Sequence, residues 1–164
     1  MFKYVLAAFV FAAAQANAVE VPIQGTVGSK CVIQTDKPGV YGNPTPSILS
    51  TSPVDGGVEP VIRFDVITAD YYKARIFSPN SFSASPSLSD VVNWTGVVSY
   101  ADGTDAGMAA YDSTKVTYDN VTEVDLTIAG STWFKVESQA TYGYDKSFPA
   151  GTYSTVVAAE CIAL

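Results

Sequence analysis

The sequence predicts an all-β domain built as a sandwich of short strands, and three observations carry that prediction. No segment of useful length repeats its apolar residues at the helical period. Short runs instead alternate apolar with polar residues, separated by clusters of Gly, Pro, Asn, Asp and Ser. The composition also leans toward strands: ten tyrosines, many Val, Thr and Ser, and only 15% charged residues in 164.

The chain opens with the three parts of a secretory signal: Lys3, an apolar run from Tyr4 to Ala14, and the small-x-small site Ala16-Asn17-Ala18. The run is shorter than the roughly 20 residues a membrane-spanning helix needs. Residues 1–18 are therefore expected to be cleaved and the remainder exported. An arm at 19–29 follows, in which Val19, Val21, Ile23 and Val27 occupy every other position, with Gly25 in the fourth of five slots. Strict alternation marks a strand with one buried face. At a mature N-terminus such a strand frays unless a groove receives it, in its own domain or a neighbour's.

Residues 30–164 read as one domain. A first strand runs from Cys31 to Thr35 and ends at the turn Asp36-Lys37-Pro38-Gly39. The Pro-, Ser- and Gly-rich stretch from 40 to 57 reads as a long connection containing one edge strand near 47–50. Val61 to Thr68 points Ile62, Phe64 and Val66 one way, and Tyr71 to Phe77 points Tyr72, Ala74 and Ile76 one way. Ala69-Asp70 between them predicts a hairpin. After a loop at 78–90, strands are expected at 93–100, at 114–118 paired with 123–128 around Asp119-Asn120, and at 132–138. A last strand is expected at 151–164. Strands at this spacing suggest a sandwich.

Cys31 and Cys161 are the only two cysteines. In an exported chain an isolated pair is most simply a disulfide, which would set the first strand beside the last; two unpaired thiols are the alternative.

Several functions are disfavoured by what the sequence lacks. Nine Lys and Arg face sixteen Asp and Glu, and loss of Lys3 with the signal takes the formal charge from −7 to −8. That balance argues against nucleic acid as a partner. The absence of histidine removes the usual general base and the commonest zinc ligand. No enzyme activity, cofactor or metal is expected. Asp102, Asp105 and Asp112 read as an acidic turn rather than a calcium loop. Trp94 and Trp133 read as core packing rather than a sugar-stacking platform.

The two ends of the mature chain, taken together, resemble the fimbrial subunits (pilins) of the bacterial chaperone–usher pathway. The likeness rests on the alternating arm Val19–Val27, the strand holding Cys31, and the terminal segment Pro149-Ala150-Gly151-Thr152-Tyr153-Ser154-Thr155-Val156-Val157. Gly151 holds the family's glycine position, fourteenth from the C-terminal Leu164. Ala163 stands where the family usually has tyrosine, Pro22 interrupts the arm, and the cysteine pairing differs from the commonest one, which implies a divergent branch.

The resemblance implies an immunoglobulin-like β-sandwich lacking its last strand. The arm of another subunit would complete it, with Val19, Val21, Ile23, Gly25 and Val27 as donor strand and Gly151 and Tyr153 on the groove strand. It also implies a fimbrial subunit that travels through the periplasm and supports adhesion or biofilm formation. Its partners would be copies of itself or related subunits, a periplasmic chaperone and an outer-membrane usher. The alternative is an exported binding module, an adhesin or carbohydrate binder, whose arm completes its own sandwich. Tyr71, Tyr72, Trp94, Tyr142 and Tyr144 would then be its contact candidates.

Overall fold

The computed structural model describes residue 24 and residues 31–102, 114–117, 121–144 and 146–164. The signal segment 1–18 and the arm positions Val19, Val21, Ile23, Gly25 and Val27 lie outside the described residues, as do Asp105 and Asp112.

Among the described residues, ten strands form two antiparallel sheets, with one short 3₁₀ turn at Pro53–Asp55. The larger sheet is organised by β9 (Gly130–Tyr142). Along one side β9 pairs with β6 (Val92–Asp102), which pairs in turn with β7 (Thr114–Thr117). Its other side is shared. The first half pairs with β4 (Val61–Val66), which carries β1 (Cys31–Lys37). The second half pairs with β3 (Ile48–Ser50), which carries β2 (Gly42–Thr45). The smaller sheet runs β10 (Ala158–Ala163), β5 (Tyr72–Phe77), β8 (Val121–Asp125).

Alternation places the core between the sheets. Ile62, Phe64 and Val66 of β4, Val98 of β6, and Phe134 and Val136 of β9 face Ala74 and Ile76 of β5 and Leu126. The Phe64 and Phe134 rings meet edge to face at 5.2 Å, a preferred aromatic geometry. Charged side chains line the outer faces in cross-strand networks. Arg63 reaches Asp65 at 3.1 Å and Asp36 at 3.4 Å, and Arg75 reaches Glu123 at 2.8 Å.

One end of the sandwich is filled by a separate aromatic cluster. Phe82 contacts Trp94 at 4.9 Å and Tyr153 at 5.1 Å, and Phe148 contacts Tyr142 and Tyr153, each at 5.1 Å. Trp94 packs against Phe82 in this cluster, half-buried and apart from the central core rather than within it. Trp133 is outside that core too: it lies half-buried on the outer face, donating its indole N–H to Asp36 at 2.6 Å. Its even-numbered neighbours Thr132 and Phe134 point inward instead.

Three further expectations are corrected. Val61–Val66 and Tyr72–Phe77 form no hairpin, because β4 and β5 lie in opposite sheets and the Ile67–Tyr71 connection crosses between them. Asp70 takes a left-handed backbone (φ +63°) within that corner. The stretches around 114–117 and 121–125 likewise pair with β6 and β5 rather than with each other. The 47–50 region is no edge, since β3 is bonded on both sides.

The Cys31–Cys161 disulfide is formed, with Cα atoms 6.4 Å apart. It ties β1, at the edge of the large sheet, to β10, at the edge of the small one.

Candidate functional site

The feature that stands out is an elongated groove of about 740 Å³ along the open side of the sandwich. Its first wall is β1, which offers Ile33 and Thr35, followed by Pro38, Gly39 and Val40. Ile33 and Thr35 share a face because side chains alternate along a strand. The floor is the inner face of the large sheet: Leu49, Thr51, Ile62 and Ser138, all buried. The second wall is the C-terminal segment, from Gly151 and Tyr153 through Val157 to Ala159.

Among the described residues, neither wall has a strand bonded to it on the groove side: β1 pairs only with β4, and β10 only with β5. Between Pro149 and Val157 the one ladder contact is a bridge from Ser154 to Ala84, facing away toward the 78–90 loop, with Ser154 N–H donating to the Ala84 carbonyl at 2.8 Å. Even so, Tyr153, Thr155, Val157, Ala159 and Cys161 are half-buried at every second position. This is the pattern of a strand whose pairing is satisfied over only part of its length, and the expected strand at 151–164 is regular only from Ala158.

Apolar side chains remain accessible in the groove: Ile33 is 36% exposed, Val40 55% and Val156 65%. Exposed apolar surface beside unpaired edges is a liability that natural proteins cover. The polar groups on the floor are already occupied. Tyr41 and Ser138 hydroxyls are 3.2 Å apart, and Thr51 Oγ1 accepts from the Ser138 N–H at 2.8 Å. Among the described residues, the titratable groups lining the groove are Tyr41 and Tyr153. Burial holds both phenols above their ordinary value, so they stay neutral. An uncharged groove that mixes aliphatic and hydroxyl side chains and is bordered by strand edges has the chemistry to bind extended backbone with small side chains, rather than an ion or a charged metabolite.

Gly151 and Tyr153 both line this groove. Gly151 has φ +153°, and a Cβ there would fall 2.5 Å from Pro86 Cγ, so the position requires glycine. Tyr153 is anchored by its ring contacts and by a hydroxyl donating to the Pro149 carbonyl at 2.7 Å. The contact candidates of the binding-module alternative do not converge. Trp94 and Tyr142 belong to the aromatic cluster, Tyr72 packs on the core, and Tyr71 and Tyr144 are simply exposed.

Sequence reasoning missed Tyr41, Leu49, Thr51 and Ser138, which come from a loop and from strands without a distinctive motif. Ile33 had a signal, since it alternates with Cys31 and Thr35. Asp102, Asp105 and Asp112 cannot be compared as a set, because the last two lie outside the described residues; among those described, no three acidic or sulfur ligands cluster around a common point.

No family model, no curated protein and no solved structure matches this chain.

Proposed function

We propose that this chain is the structural subunit of a surface fibre, with an immunoglobulin-like sandwich completed by a strand from another copy. The observation that carries the reading is the groove between β1 and the 151–159 segment, which no further strand among the described residues fills. An inserted strand would satisfy both edges and supply the missing core residues together. The arm at 19–29 suits that role by its alternation, Val19, Val21, Ile23 and Val27 on one side and Gly25 between them. Four aliphatic side chains buried this way are worth on the order of 6–12 kcal/mol before ordering costs. Donor and acceptor are different surfaces, so the contact is head-to-tail and repeats into a filament.

On this reading the subunit is exported, and a periplasmic chaperone covers the groove until an outer-membrane usher assembles the fibre. The test is assembly of arm variants. Gly25→Leu, by overpacking, and Ile23→Asp, by burying an unpaired charge, should block the ladder of fibre fragments while chaperone-bound subunit is still recovered. Gln24→Ala, on the outward face, should be silent. Polymerisation of both groove-facing variants like the parent would exclude the arm as an intersubunit strand.

A further inference from the structure

We infer that the Cys31–Cys161 bridge closes one end of the groove, sets where an inserted strand must stop, and thereby selects the arm of a second copy over the chain's own. The inference rests on the strand-exchange reading above and concerns which arm the groove takes and in what register.

The geometry is a matter of width. Neighbouring strands lie about 4.7–4.9 Å apart, so two edges with a third strand between them stand about 9.5 Å apart. At the bridge the α-carbons of β1 and β10 are 6.4 Å apart. That leaves no room for a strand between them. Two residues further in, Ile33 on β1 and Ala159 on β10 both line the groove, whereas neither cysteine does. The bridge is the end wall, and the lining extends away from it through Val157 to Tyr153 and Gly151.

The arm joins the domain at that same wall, since residue 30 precedes Cys31. To fill its own groove, the chain would have to reverse direction where the two edges are closest. The residues nearest β1, Val27 among them, would be taken up in passing around the bridge. An arm from a second copy is free of that constraint and can present Val19 to Val27 whole. The wall also limits register. A one-residue slip would turn every apolar side chain outward, and two-residue slips toward the bridge are blocked by the covalent stop.

The experiment uses the full exported chain with Gln24→p-benzoylphenylalanine, photolysed after assembly from a mixture of ¹⁴N and ¹⁵N subunits and mapped by mass spectrometry. The expected result is mixed-isotope crosslinks to groove-wall residues in one register. In the Cys31→Ala/Cys161→Ala variant, the crosslinks should spread over sites two residues apart, with a several-fold rise in the within-chain fraction. One register and unchanged within-chain yield in that variant would overturn the inference while leaving strand exchange standing. Absence of groove crosslinks in both proteins would instead overturn the strand-exchange reading and this inference with it. Amide exchange on parent fibres keeps the question decidable if the double variant does not fold. Assembly should protect amides of β10 up to the bridge and add nothing at Ile162–Leu164, and added protection across those three residues would overturn the inference.

Discussion

Removing the Cys31–Cys161 bridge should destabilise the domain by about 2–5 kcal/mol. The two residues are 130 apart in sequence. In the chain-entropy model, closing a loop of that size lowers the entropy of the unfolded chain by roughly 17 cal/mol/K, which is about 5 kcal/mol at 25 °C. Folded domains have only about 5–15 kcal/mol in total, so the loss is a large fraction of the whole. The location adds a local effect. Among the described residues β1 and β10 are each hydrogen-bonded to a single strand, and the bridge is the covalent link between those two edges. The assay is urea unfolding of Cys31→Ala/Cys161→Ala beside the parent, read by tryptophan fluorescence. The midpoint should fall, and the slope should rise because the uncrosslinked chain exposes more surface. Amide protection should be lost first in β1 and β10. An unchanged midpoint and slope would refute the reasoning, since the constraint on the unfolded chain is lost whatever the folded state does.

Phe134→Ala should cost about 3–5 kcal/mol, because the side chain is fully buried between Phe64 at 5.2 Å and Tyr100 at 5.6 Å; a urea-derived loss below about 1 kcal/mol would place the core elsewhere. Gly151→Ala should cost about 1–3 kcal/mol through its positive φ and the close approach of Pro86, and an unchanged melting temperature would contradict the backbone geometry. Acid should destabilise the protein through two exposed carboxylates held below their ordinary values. Hydrogen bonds from Arg75 and then Lys73 lower Glu123, and the hydrogen bond from Lys146 lowers Asp90. Their stabilisation is present above the ordinary values of 4.5 and 3.8 and is lost as pH falls through the lower folded-state values. Urea midpoints from pH 7 down to pH 3 should show Glu123→Gln with a shallower acid slope than the parent, and identical slopes would contradict the assignment.

The alternation that made β4 and β5 legible also explains why their pairing was misread. Ile62, Phe64 and Val66 face the same core as Ala74 and Ile76, whether the two strands lie side by side or in opposite sheets. Period two reports which side is buried and carries no information on which strand is adjacent. The same ambiguity separated Thr114–Thr117 from Val121–Asp125. Cysteine arithmetic did better, because two cysteines allow a single intrachain pairing, and that pairing puts β1 beside β10. The groove was legible only at its rims. Gly151, Tyr153 and the Cys31 strand carry recognisable patterns, whereas the floor is Leu49, Thr51, Ile62 and Ser138, residues common to any sandwich interior. Trp133 was misassigned because its size argues for burial, while the strict alternation of β9 puts it on the outer face, where Asp36 accepts its N–H.

The central claim is that the groove is filled by the arm of a different molecule. Solid-state NMR of assembled material tests it directly, with half the subunits ¹³C-labelled at isoleucine in a chain whose only labelled isoleucine is Ile23. The other half carry ¹³C-labelled valine in the unsubstituted sequence, with isoleucine unlabelled. The account predicts cross-peaks between Ile23 of one population and groove-wall valines, Val157 among them, of the other. Such contacts can arise only between molecules in this labelling scheme. Assembled fibres without those cross-peaks, alongside the same contact within a monomeric chain that carries both labels, would contradict the account and make the self-completed module the better description.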